Sequence, residues 1–187
     1  MKFFHLIGIG AVLGAFCRPC FAWDEARLIA LARQSVEAQV KGEKPPVPRD
    51  DDPPMGVFVT IERGGKVLGC RGTLAATQSS LEREIARAAR SACAFDPRYR
   101  PLSPADLKDF RVTVTLVQCQ TPLAREELSS LQAEEGLTLQ SGERYGIVLP
   151  FEGRDPHTRL RWAWKKAGVS PGSPYRLFRM QAQRFRG

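Results

Sequence analysis

The stretch from Gly56 to Thr73 constrains this chain more than any other. Two β-prone runs, Gly56-Val-Phe-Val-Thr-Ile-Glu-Arg63 and Lys66-Val-Leu-Gly-Cys-Arg-Gly-Thr73, meet at Gly64-Gly65. That dipeptide supplies the positive φ of a tight hairpin turn. The second run carries Gly69-Cys70-Arg71-Gly72. Glycine on either side of a thiol and a guanidinium predicts a sharp bend that another group can approach closely. Chemistry is expected there, although the pattern does not specify a reaction.

The 187 residues suffice for one domain with a proper core and are too few for two comfortable ones. The first residues stand apart. Lys2 is followed by an almost wholly apolar run from Phe3 to Phe16, and Cys20-Phe21-Ala22 places small residues at the −3 and −1 positions. This predicts a secretory signal peptide over 1–22, cut after Ala22, with the domain proper in 23–187. The apolar run is too short to span a bilayer. Acylation of Cys17 is the rival reading, and Phe16 fits it poorly. The expected location is therefore periplasmic or secreted.

The formal net charge of +8 favours anionic partners such as phosphates, nucleic acid or a membrane surface. The charges are dispersed and not in blocks, which favours a solvated surface and makes nucleic acid an unlikely partner. Loss of the leader removes Cys17 and Cys20 and leaves Cys70, Cys93 and Cys119. An odd count in an oxidising compartment leaves one thiol unpaired. A Cys93–Cys119 pair would leave Cys70 free. No CxxC remains to suggest zinc, and no cofactor or metal is expected.

Along the chain, Asp24 is placed to cap a helix through about Val40, with Leu28, Leu31, Ala32 and Val36 on one face. Residues 43–54 are rich in proline and aspartate and read as a loop. Asp50-Asp51-Asp52 invites a hard cation, but adjacent side chains diverge, and a solvated loop is the better reading. Ser79 and Glu82 have capping-box spacing ahead of a helix carrying Leu81, Ile85, Ala88, Ala89, Ala92 and Cys93 inward, with Glu82 outward. Ser103-Pro104 starts a short helix. Phe110 to Cys119 alternates as a half-buried strand. Leu123 to Leu131 reads as briefly helical. Gly136 to Gln140 and Tyr145 to Pro150 form a second hairpin. Thr158 is placed to cap a helix stopped by Gly168, and Tyr175 to Phe185 reads as a last strand. Two halves thus share the order hairpin, helix, strand, with Gly56 matching Gly136 and Gly69 matching Gly146.

These motifs resemble the AMMECR domain, that of AmmeMemoRadiSam protein A. The likeness is carried by Gly56 to Ile61, Gly69-Cys70-Arg71-Gly72-Thr73-Leu74, Asp96 to Pro101, Gly136-Leu137, Leu149-Pro150 and Lys166 to Val169. It spans roughly Asp24 to Phe185. It implies an α+β single domain with a barrel-like curved mixed sheet built from two related strand–helix halves, and no established activity. Where the family pattern has arginine, this chain has Leu68, and where it has isoleucine, Arg71. That swap moves polarity to a position three residues on, on the opposite face of a regular strand. An exported copy is also a poor partner for radical-SAM chemistry.

The candidate chemistry follows. Cys70 is a possible nucleophile, its thiolate favoured by Arg71, with His157 the only histidine left to serve as base. Gly69, Gly72, Thr73, Asp96 and Arg98 are candidate ligand-binding residues, with Asp96 and Arg98 also able to pair. Trp162 and Trp164 offer stacking for nucleic acid, although helical spacing suits a core or partner surface. The favoured function is a binding or scaffold module for a small anionic ligand or a partner segment. A Cys70-dependent enzyme and a nucleic-acid binder are the alternatives.

Overall fold

The computed structural model describes residues 22–187. Except for Ala22, the leader expected at 1–22 lies outside them.

Helix α1 (Glu25–Lys41) starts where the Asp24 carboxylate accepts the Arg27 amide at 3.0 Å and ends at left-handed Gly42. Strands β1 (Gly56–Arg63) and β2 (Lys66–Thr73) form the first hairpin. Gly64 and Gly65, at φ 56° and 76°, make its turn. Helix α2 (Leu81–Ala94) and strand β3 (Arg111–Leu123) complete the first half. Strands β4 (Gly136–Ser141) and β5 (Arg144–Val148), helix α3 (Pro156–Ala167) and strand β6 (Arg176–Arg186) form the second. Short 3-10 turns occupy Pro104–Leu107 and Arg125–Ser130.

The sheet order is β2-β1-β3-β6-β4-β5, and the sheet curls into a half-barrel. The order reads the same from either end when β1 is matched to β4, β2 to β5 and β3 to β6. The two predicted halves therefore share one sheet about an approximate two-fold relation. Every pairing is antiparallel, so the strand directions are not mixed. β3 and β6 meet at the centre, and β2 and β5 are the two free edges.

Three apolar clusters hold this arrangement. Helices α1 and α2 cover the outer face of β1 to β3 through Leu28, Val36, Ile85, Val59, Ile61 and Val114. Helix α3 covers the outer face of β4 to β6 through Ala163, Leu137, Leu139 and Leu177. Inside the curl, Phe58, Val117, Leu149 and Met180 meet, with Cys70 and Ile147 packed beside them.

Several local expectations change. The cap of α2 is Ser80, not Ser79: its hydroxyl accepts the Arg83 amide at 3.3 Å and donates to Asp50 at 2.6 Å. Glu82, expected outward, is 1% exposed, because Arg27 reaches it at 2.6 Å. Helix α3 starts one turn earlier than expected. Asp155 accepts the Thr158 amide at 2.9 Å, and Pro156 takes the first helical position. The 43–54 segment is free of helix and strand, as expected. It is pinned by charge pairs that join Asp50 to Arg83 and Asp52 to Arg27, which occupy two of its three aspartates. β3 runs on to Leu123, and only a 3-10 turn follows. Its threonine face, Thr113 and Thr115, is as buried as its valine face, because the curl turns it inward. Cys93 keeps a free thiol within the α2 core, donating to the Arg90 carbonyl at 3.3 Å, so the Cys93–Cys119 pairing does not form.

Candidate functional site

The Gly69-Cys70-Arg71-Gly72 segment is not a bend. It lies within continuous β2, and neither glycine has positive φ. Close approach explains both. A Cβ on Gly69 would stand 2.0 Å from the Ala92 carbonyl oxygen of α2, and one on Gly72 would stand 2.0 Å from the Val57 carbonyl oxygen of β1. Gly146 of β5 repeats the first arrangement in the other half, at 1.8 Å from the Ala163 carbonyl oxygen of α3. Each edge strand is thus pressed onto its own helix by a glycine. The next residues, Cys70 and Ile147, turn toward the interior of the curl, Cys70 opposite Thr60 and Ile147 opposite Thr138.

Between the two edges lies a cleft of about 350 Å³. Cys70, Arg71 and Gly72 of β2, with Arg98 beside them, form one lip; Ile147 of β5, with Leu149, Glu152 and Lys166, forms the other. Phe58 contributes to the apolar lining from inside the curl.

Each lip is closed by an ion pair bonded to the backbone. On the β2 side, Cys70 donates its amide to Asp96 Oδ2 at 2.9 Å, and its carbonyl accepts from Arg98 Nη2 at 2.9 Å. Arg98 grips Asp96 through Nε at 2.9 Å and Nη2 at 2.7 Å. On the β5 side, Lys166 Nζ donates to the Ile147 carbonyl at 2.8 Å and to Glu152 Oε2 at 2.6 Å, and that same oxygen accepts the Leu149 amide at 3.1 Å. Carboxylate and cation stand where the carbonyl and amide of a neighbouring strand would be. Exposed sheet edges need such covers.

Burial, the largest single influence on Asp96, pushes its carboxyl up. The hydrogen bonds from Arg98 and the Cys70 amide outweigh it and hold the group below its ordinary value. Arg98 is held correspondingly further into its charged form, first through its hydrogen bond to Asp96. Cys70 moves opposite to the expectation. Burial pushes its thiol up, Thr60 Oγ1 donates to the sulfur at 3.2 Å and partly offsets this, and the charges acting on it are Glu152, Lys166 and Arg98. Arg71 is not among them: it leaves the strand on the face opposite Cys70 and meets the cleft only at its exposed rim.

Arg71 is exposed at the cleft rim, with no hydrogen-bond or ion-pair partner among the described residues. A bulge at β2 between its pairings to Ile61 and Glu62 interrupts the alternation before it. Leu68 there packs against the α1 and α2 core. Cys70, Arg71, Gly72 and Arg98 therefore converge on the cleft, with Asp96 just behind. Gly69 is buried under α2, and Thr73 accepts from Arg87 at 3.2 Å, so neither lines the cleft. His157 is exposed in the first turn of α3 and is not brought to the cleft. Trp162 is exposed, and Trp164 packs edge-on against Tyr175. The second lip was missed: Glu152 and Ile147 carry no local motif, and Lys166 entered only through the family likeness of Lys166 to Val169, but matching Gly146 to Gly69 would have placed Ile147 opposite Cys70.

A family model described as AMMECR1 matches residues 29–187 of this chain. A protein of Methanothermobacter thermautotrophicus is 31% identical, the match covering 87% of this chain and 94% of that one. A Thermotoga maritima protein is 33% identical over 70% of this chain and 77% of its own length. The crystal structure of an uncharacterised protein from Pyrococcus horikoshii shares the fold, with a TM-score of 0.73 at 23% identity over 86% of this chain and 89% of that one.

Proposed function

The chain belongs to the AMMECR1 family, and on that premise we propose that it is a binding module whose cleft between β2 and β5 takes a small anionic ligand. The observation that carries this is the cationic lining of an apolar-floored cleft: Arg98 and Lys166, with Arg71 at the exposed rim and without a hydrogen-bond or ion-pair partner among the described residues. Arg98 and Lys166 are already oriented by their own carboxylates. A cleft of about 350 Å³ is within the range of small-molecule sites. A partner segment adding a strand is a weaker reading, because the outward backbone groups of Cys70, Ile147 and Leu149 are already bonded. Cys70 catalysis receives less support, since burial favours the neutral thiol and His157 is elsewhere.

Calorimetry with inorganic phosphate and short carboxylates at fixed ionic strength tests the reading. Binding weakened about tenfold by Arg71→Ala is the expected result, the worth of one charge-assisted hydrogen bond. Equal titrations of both proteins would remove it. We further place the mature domain outside the cytoplasm on the N-terminal pattern of Lys2, Phe3 to Phe16 and Ala22. Recovery of protein beginning at Trp23 from the periplasmic fraction tests this, and an intact N-terminus in the cytosol would refute it.

A further inference from the structure

The two lips are matched in topology but not in charge. On β2 the carboxylate of the ion pair is hidden: the Asp96 side chain is 1% exposed, while that of Arg98 is 46% exposed. Asp96 does not line the cleft, and Arg98 and Arg71 do. That lip shows only positive charge. On β5 the carboxylate itself faces the cleft. Glu152 lines it, with its side chain 30% exposed. Its Oε2 takes both Lys166 and the Leu149 amide, whereas Oε1 has no partner among the described residues. One lip thus presents the Arg98 guanidinium, its carboxylate partner hidden, with Arg71 at the rim, and the other presents a free carboxylate oxygen. Phe58, Ile147 and Leu149 supply apolar lining.

We propose that the ligand is dipolar: an anionic group held by Arg71 and Arg98, an apolar spacer against Phe58, Ile147 and Leu149, and an ammonium or amide donor directed at Glu152 Oε1. Amino acids and short peptides have this chemistry. The inference rests on the anionic-ligand reading above and deepens it. A purely anionic molecule would leave Glu152 facing it without a donor, and an unmatched carboxylate is costly once water is excluded. Lys166 does not cancel Glu152 for this purpose, because it engages the other oxygen and fixes the carboxylate in place.

The test uses four probes on the whole protein: 6-aminohexanoate, hexanoate, adipate and hexylamine, titrated by calorimetry at one ionic strength. 6-Aminohexanoate should bind best, about tenfold tighter than hexanoate, as expected for one added charge-assisted hydrogen bond. Glu152→Gln should remove that preference, so that 6-aminohexanoate binds no tighter than hexanoate to the variant. Arg71→Ala should weaken both acids alike. Circular dichroism and a melting curve identify a variant that has not folded. Glu152→Asp then serves as a second variant, shortening the carboxylate while keeping its charge, and should give an intermediate preference. If hexanoate or adipate equals or exceeds 6-aminohexanoate, the dipolar proposal is overturned and the anion site stands. If hexylamine binds and the acids do not, both readings fall, and they fall together if none of the four binds.

Discussion

Asp96 accepts the backbone amide of Cys70 at 2.9 Å while Arg98, gripping the same carboxylate, donates to the Cys70 carbonyl. A side-chain pair thus occupies the place of a seventh strand. The Asp96 carboxyl is held below its usual 3.8, so the folded protein resists protonation that the unfolded chain accepts. Its contribution is complete above about pH 4 and fades as the pH falls toward the lowered folded value. Asp96→Asn should lower stability at neutral pH and flatten the loss as the pH falls below about 4. Urea midpoints across that range for both proteins decide it. Parallel curves would show that Asp96 contributes nothing to acid sensitivity.

Gly69 and Gly146 perform the same task in the two halves, each meeting a helix carbonyl where a side chain would stand. Gly69→Ala or Gly146→Ala forces the edge strand off its helix. Overpacking at a site that cannot relax costs about 3 kcal/mol. In a domain of this size that lowers the Tm by roughly 5–10 °C. The two variants should lose similar amounts, as the duplication requires. A loss confined to one of them would show that the halves differ in rigidity at this contact.

Some of this was legible in the residues and some was not. The Gly64-Gly65 turn could be read because positive φ demands glycine in a local, self-contained geometry. The matching of the halves could be read because hairpin, helix and strand recur in order with glycines at matching places. Gly69 and Gly72 pointed to the right stretch for a partly wrong reason: they permit contact, not bending. Glu82 was misread as outward because local periodicity does not register Arg27, which reaches it from α1. Arg71 was expected to activate Cys70 because they are neighbours in sequence, and strand geometry separates neighbours. The β5 lip escaped because Glu152 and Lys166 acquire their roles only when the sheet curls and brings its far edge opposite β2.

Arg159 is 2% exposed and faces no carboxylate among its hydrogen-bond partners. It donates instead to the carbonyls of Gln132 at 2.7 Å, Ala133 at 3.2 Å and Glu135 at 2.8 Å, fastening α3 to the segment before β4. Arg159→Met keeps the stem and strands three acceptors, a loss of about 3 kcal/mol. Arg159→Lys should recover only part of it, because a point ammonium does not reproduce the guanidinium fork. Chemical denaturation gives the ranking. Equal stability of the Met variant and the native protein would mean that the loop finds other donors.

Cys70 presents a thiol to the cleft yet is held neutral. Burial raises its pKa above the ordinary 9.0, the Thr60 hydroxyl opposes that rise, and Glu152 adds to it against Lys166 and Arg98. Cys93, under α2, is pushed up to about 11 by its own burial. Iodoacetamide labelling followed by peptide mapping reads each thiol separately as a function of pH. The Cys70 midpoint should lie above 9.0, with slow labelling at neutral pH. Thr60→Val removes a donor to the sulfur and should move the midpoint higher. Arg71→Ala should leave it in place, because Arg71 is not among the groups that act on the sulfur. A native midpoint near 7, lowered by Arg71, would instead restore the activated nucleophile suggested by the Cys70-Arg71 sequence.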